Sequence, residues 1–139
     1  MEGTVRDVMT PEPLTLMPSA TLKEAACAMR DQNIGDVVVL DHGRLYGILT
    51  DRDIVVRGLA EDRDPQRTSV GEICSRQLVS IGPDQNPGEA VRLMREHAIR
   101  RLPVQENGRV VGLISLGDLA MDFDPESALA DISAAPPNV

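Results

Sequence analysis

Aromatic side chains are almost missing from this chain. Of its 139 residues, Tyr46 is the one tyrosine, Phe123 the one phenylalanine, and tryptophan is absent. Proteins that hold single-stranded nucleic acid stack bases on such rings, so that class of partner finds no platform here. Basic runs are missing too. The formal net charge is −8 and Arg100-Arg101 is the only adjacent basic pair, a balance that repels a phosphate backbone. Cysteine is scarce: Cys27 and Cys74 belong to no CxxC pair and read as small buried hydrophobes. No apolar run reaches the length of a membrane-spanning helix and Met1-Glu2-Gly3-Thr4 opens no signal-peptide pattern, so the expected setting is cytoplasmic, with reduced thiols. Motifs of catalysis are lacking as well. There is no Gly-x-Ser-x-Gly, no Walker A loop and no dinucleotide glycine pattern, and His42 and His97 have no ligand-spaced companions. No catalytic residue and no metal site are expected.

What the chain does have is an internal repeat. Sliding it by 65 positions aligns the halves without a gap: Val5 meets Val70, Pro18 meets Pro83, Glu24-Ala25 meets Glu89-Ala90, Met29-Arg30 meets Met94-Arg95. Further on, Ile34 meets Ile99, Val39 meets Val104, Gly43-Arg44 meets Gly108-Arg109, Gly47 meets Gly112, and Asp53 meets Asp118.

Each copy predicts the same element order. A short amphipathic turn (Val5 to Met9; Val70 to Cys74) leads to an extended segment (Leu14 to Met17; Leu78 to Ile81) closed by Pro18 or Pro83. A helix follows, marked by the capping box Thr21-x-x-Glu24 in one copy and by Asn86-Pro87-Gly88-Glu89 in the other. Leu22, Ala25, Ala26 and Met29 fall on one face of it. Two strands then flank the turns Asp41-His42-Gly43 and Glu106-Asn107-Gly108, and Thr50 or Ser115 opens a second helix. The expected fold class is α+β, as two β-α-β-β-α copies. The expected divisions are 1–60, a linker at 61–69, 70–124, and a tail at 125–139 with at most a short helix over Glu126 to Ile132 before it frays.

The pattern closest to chemistry is Gly47-Ile48-Leu49-Thr50-Asp51-Arg52-Asp53, repeated as Gly112-Leu113-Ile114-Ser115-Leu116-Gly117-Asp118. It places a hydroxyl, and an aspartate three residues on, where a strand passes into a helix. The hydroxyl and the N–H groups of a helix start suit an anion such as phosphate, and the aspartate can accept two hydrogen bonds from a ribose diol. The same spacing is also a plain N-terminal capping pattern, worth on the order of 1 kcal/mol, and both readings stand at this point.

The ordered set of motifs resembles the CBS domain pair, or Bateman module, over nearly all of Val5 to Asp122. It rests on Val8-Met9-Thr10-Pro11 before Leu14-Thr15-Leu16, on Leu22-x-x-Ala25 with Met29, on Ile34-Gly35, on Arg101-Leu102-Pro103-Val104, and on both Gly-x-x-(Thr/Ser)-x-x-Asp stretches. The resemblance implies two copies packed about a pseudo-twofold axis, with clefts between them that take AMP, ADP, ATP or S-adenosylmethionine. Carried over by position, Asp53 and Asp118 would hold ribose hydroxyls, and Thr50 and Ser115, with Arg52 close by, would approach a phosphate or 5′ substituent. Gly35, Asp36, Val37 and Val38, with Arg100, Arg101, Leu102 and Pro103, would line the adenine pocket together with Thr15 and Ser80. Arg100-Arg101 stands where the first copy has Gly35-Asp36, so the two sites should differ; the arginines neutralise a phosphate or serve as a solvated or intramolecular pair.

Two functions follow as expectations. One is a non-catalytic sensor that binds an adenosine-containing ligand, requires no cofactor, forms a homodimer and signals to a separate, unknown protein partner. The other is a ligand-free homodimeric interaction module, in which the two hydroxyl–aspartate pairs only cap helices. Nucleic acid and membrane are not expected partners.

Overall fold

The computed structural model describes residues 3–76, 79–123, 132, 134 and 135. The tail helix expected over 126–132 lies outside the described residues but for Ile132, and so does Leu78 of the second extended segment. In chain order the elements are α1 (Val5–Val8), β1 (Thr10–Pro11), β2 (Thr15–Leu16), α2 (Leu22–Gln32), β3 (Asp36–Asp41), β4 (Arg44–Thr50), α3 (Asp51–Asp53), α4 (Val70–Ile73), α5 (Pro87–His97), β5 (Arg101–Glu106), β6 (Arg109–Ser115) and α6 (Leu116–Phe123).

Local chemistry sets these boundaries. Thr21 caps α2 by accepting from the Glu24 N–H, and Asn86 caps α5 by accepting from the Gly88 N–H, with Pro87 at the first position, where no donor is needed. Both helices stop on a left-handed residue, Asn33 and Ala98. The two hairpins turn on His42-Gly43 and Asn107-Gly108, where both central residues have positive φ; such two-residue turns match the twist of the flanking strands.

The chain divides into two units, and the units are not the sequence repeats. One takes the residues up to Pro13 together with those from Val79 on; the other takes the stretch that begins at Leu14. The first repeat's lead-in packs with the second repeat's sheet, in the order β1-β6-β5, and α4 packs with the sheet β2-β3-β4. The cores show the exchange. Val5 is buried with Ala90, Met94, Leu102, Val104 and Ile114, whereas Val70, Ile73 and Cys74 are buried with Leu22, Ala25, Val37, Val39 and Leu49.

The hydrogen bonds of the exchange obey the same 65-residue offset. A four-residue helix cannot satisfy its own first donors. Val70 N–H and Gly71 N–H donate to the carbonyls of Ala20 and Pro18 at 2.7 and 2.9 Å, and Val5 N–H and Arg6 N–H donate to those of Gln85 and Pro83 at 2.8 and 2.9 Å. Each lead-in thus completes the loop before the other repeat's long helix.

The segment expected as a linker is pinned to α2. Its carbonyls at Pro65 and Thr68 accept from the Lys23 and Leu22 N–H groups, both at 3.0 Å, which are the donors the Thr21 cap leaves over. Beyond α3 the first repeat's helix does not continue as α. It widens to a π turn over Ile54–Gly58 and ends as a 3-10 turn at Leu59–Glu61. Gly58 is buried where this segment meets Leu22, and a β-carbon there would press on the leucine's Cδ1.

One strand is lost between copies. In the first, Val38 N–H donates to the Leu14 carbonyl and β2 pairs in parallel with β3. In the second, Pro103 stands at the matching place and has no N–H, so the pairing shrinks to a single bridge between Ile81 and Val104.

Candidate functional site

Each unit carries one strand-to-helix corner. In the unit of the sheet β2-β3-β4, β4 ends on Thr50, which pairs across the ladder with Asp36, while Val38 pairs with Ile48 on one side and Thr15 on the other. Strand alternation puts Thr15, Asp36, Val38, Ile48 and Thr50 on one face, opposite the Val37, Val39 and Leu49 side chains in the core. In the other unit Arg101 pairs with Ser115 and Pro103 with Leu113, opposite the core residues Leu102, Val104 and Ile114. Val37 and Leu102 were also expected in the adenine pocket; their side chains lie in the two hydrophobic cores, which leaves their backbone groups on the site's side.

The capping reading is realised in both corners. Thr50 N–H donates to Asp53 Oδ2 at 2.9 Å and Asp53 N–H donates to Thr50 Oγ1 at 3.1 Å; Ser115 and Asp118 repeat the arrangement at the same distances. The caps use Oδ2 of each aspartate, and all four residues are half-buried.

The corners differ in their remaining donors. At the first, Asp51 N–H donates to the Gly35 carbonyl at 2.9 Å and Arg52 N–H to Asp51 Oδ1 at 2.8 Å, so all three leading N–H groups of α3 are engaged within the chain. The expectation that they are free for an anion therefore fails at this corner, because Asp51 brings its own acceptor. At the second, Leu116 N–H donates to the Arg100 carbonyl at 2.9 Å, but Leu116 stands where Asp51 stands and offers the Gly117 N–H no carboxylate.

The other expected residues are scattered in role. The Ser80 hydroxyl accepts from Gln105 Nε2 at 2.9 Å. Arg52 and Arg100 are exposed, and Arg101 is half-buried. An open cavity of about 430 Å³ lies beside β2 and includes Thr15 but no other expected ligand residue. Cys74 is buried, which pushes its thiol pKa up, and neither cysteine is in a disulfide. Among the described residues, no group of three or more His, Cys, Asp or Glu could hold a metal ion, and no helix is long and apolar enough to cross a membrane. Sequence reasoning missed Asp51, although its place between Thr50 and Asp53 was the available signal.

Twin α+β repeats, each ending a hairpin strand in a hydroxyl–aspartate cap, define a two-repeat module. The family model described as "CBS domain" matches residues 5–59 and 70–123, and the chain belongs to that family. It is similar to CBS domain-containing protein YhcV of Bacillus subtilis, at 44% identity over 135 residues that cover 94% of this chain and 96% of the relative. The solved structure of Hypoxic Response Protein I with two coordinated zinc ions matches with a TM-score of 0.77 and 34% identity, covering 88% of this chain and 100% of that one. The CBS domain pair of protein MJ0100, solved in complex with 5-methylthioadenosine and S-adenosyl-L-methionine, matches with a TM-score of 0.78 and 27% identity over 90% of this chain and 98% of that one. Modules of this family are generally regulatory and non-catalytic.

Proposed function

We propose that this chain is a non-catalytic cytoplasmic sensor that binds an adenosine-containing ligand at its strand-to-helix corners, self-associates as a homodimer and acts on a separate protein partner. The observation that carries the reading is the pair of half-buried aspartates, Asp53 and Asp118, each committed to its cap through Oδ2. At Asp53 the second carboxylate oxygen is the kind of acceptor a ribose diol needs, and Asp118 stands at the matching place of the other repeat. That MJ0100 holds two adenosyl compounds supports this ligand class.

The corners divide the ligands by charge. The Ser115 corner, with Arg100, Arg101 and the Gly117 N–H, suits a phosphate-bearing ligand such as AMP, ADP or ATP. The Thr50 corner, with Asp36 and Asp51 and its helix donors engaged, suits a neutral or cationic adenosyl group such as that of S-adenosylmethionine. Thr15, Gly35, Val38, Arg52, Ser80 and Pro103, and the backbone at Val37 and Leu102, form the walls. A second reading, a ligand-free interaction module, is favoured by the completeness of the Thr50 cap.

Thermal shift with AMP, ADP, ATP and S-adenosylmethionine separates the two. Ligand at a hundredfold excess over its dissociation constant adds about 2.7 kcal/mol, an upward shift on the order of 10 °C at this size. Asp53→Asn and Asp118→Asn keep a capping oxygen but remove the charge, so each should abolish the shift for its own ligand while leaving the free protein's melting point within about 2 °C. No shift with any compound at millimolar concentration would establish the interaction module instead.

A further inference from the structure

The helix that leaves the Thr50 corner changes its winding twice. After α3 the chain widens into the π turn Ile54–Gly58 and then tightens into the 3-10 turn Leu59–Glu61. What the wide turn takes in the tight turn gives back, so a plain α-helix would cover the stretch with little displacement of its ends. In the second repeat the residues that match the π turn, 119–123, are plain α-helix within α6. In the first repeat one donor serves both windings. The Leu59 N–H donates to the Ile54 carbonyl, as in a π turn, and to the Val55 carbonyl, as in an α-helix.

Two contacts hold the π winding. The Arg57 guanidinium donates from Nη1 to the Ile73 carbonyl, at the C-terminal end of α4, at 3.1 Å. Gly58 is buried against Leu22, and a β-carbon there would come within 2.9 Å of the leucine's Cδ1. A change to α winding turns both residues about the helix axis, and Arg57 then releases Ile73. The N–H groups of Cys74 and Ser75, which donate to the Val70 and Ile48 carbonyls, lie directly beyond that tether. At its other end the π turn starts on the residue after Asp53, whose carboxylate closes the corner's cap.

We infer that residues 54–61 are a two-register switch. A ligand held by Asp53 draws α3 and the Ile54 carbonyl toward the corner, the Leu59 N–H settles on Val55 alone, and the α winding that results frees α4 from Arg57. Ligand and register are then linked, so by reciprocity a change that favours α winding tightens the ligand. The ligand's part rests on the function proposed above; the two registers do not.

Scalar couplings across hydrogen bonds, measured by NMR on the full chain, test it, since they name the carbonyl to which each amide donates. In the natural chain Leu59 should couple to both Ile54 and Val55. Gly58→Ala favours α winding through alanine's propensity and its methyl against Leu22, and Arg57→Met removes the tether. Each should leave Leu59 coupled to Val55 alone and speed amide exchange at Cys74 and Ser75 about tenfold, with circular dichroism to show that the variant stays folded. Each should also tighten S-adenosylmethionine about threefold or more by titration calorimetry, which a loss of packing alone would not do. Variants that both keep the Ile54 coupling overturn the second register and the inference with it. Variants that lose that coupling yet bind the ligand with unchanged affinity overturn its link to the corner. A chain that binds no adenosyl compound overturns the sensor reading and the ligand's part in the switch, while the couplings still decide whether the two registers exist.

Discussion

A β-carbon on Gly47 would collide with the carbonyl oxygen of Ser75. That carbonyl is not free to move: it accepts from the Ile48 N–H at 2.9 Å, and the Ser75 N–H donates back to the Ile48 carbonyl at 2.9 Å. The two bonds fix the end of α4's segment onto β4, and only a residue without a side chain lets the backbones come so close.

The matching glycine of the second repeat, Gly112, faces Met9 rather than backbone. Methionine has flexible torsions and re-packs. Gly47→Ala should therefore cost about 3 kcal/mol and Gly112→Ala about 1 kcal/mol. Urea unfolding of the two variants side by side measures the difference, and equal losses would show that the Ser75 segment yields as readily as a thioether.

Glu72 gives the fold a pH dependence with a definite sign. Its carboxylate accepts from the Ser69 N–H at 2.7 Å and from the Ser69 hydroxyl at 3.0 Å, with Arg63 at 3.2 Å a smaller influence, and these hold its pKa below the usual glutamate range. A depressed folded pKa means stability that is complete above the unfolded value and lost as pH falls through the folded one. Glu72→Gln should lower the melting temperature at pH 7, and its gap from the natural chain should close as the pH drops below about 4.3. Melting curves from pH 3 to pH 7 read this directly; a gap that stays constant with pH would mean the charge of Glu72 is not what the cap uses.

The sequence showed the repeat and both corners because their signals are local. Thr21 with Glu24, Asn86 with Pro87, His42 with Gly43, and Thr50 with Asp53 each act within four residues, and each formed the cap or turn its chemistry dictates. The face of β3 was not legible. Val37, Val38 and Val39 are all fully buried, so no alternation separates the core side from the site side, and only pairing with Thr15 and Ile48 does. The exchange of lead-ins was equally hidden. The spacing of Val5 with Val8, and of Val70 with Ile73, tells that these side chains are buried but not in which core. Asp51, read as a residue between two others, proved to close a helix donor that an anion would have used.

The exchange makes the last prediction. A fragment of residues 1–60 follows the sequence repeat but lacks Val70, Ile73 and Cys74, three side chains of the core around Leu22 and Leu49, and it carries Val5, whose core lies in the other unit. Each missing side chain represents about 2 kcal/mol of burial, against a total stability on the order of 5–10 kcal/mol for a domain of this kind. It also lacks the Pro65 and Thr68 carbonyls that satisfy the start of α2. A fragment of residues 14–78 keeps the whole core, the pinned linker and the bonds from Val70 and Gly71 to Ala20 and Pro18. Proton–nitrogen correlation spectra should therefore show dispersed, folded amide signals for 14–78 and collapsed, unfolded ones for 1–60. Folded signals from 1–60 would mean that a repeat can close its core without the lead-in it takes from the other, and the exchange would then be a feature of arrangement rather than of stability.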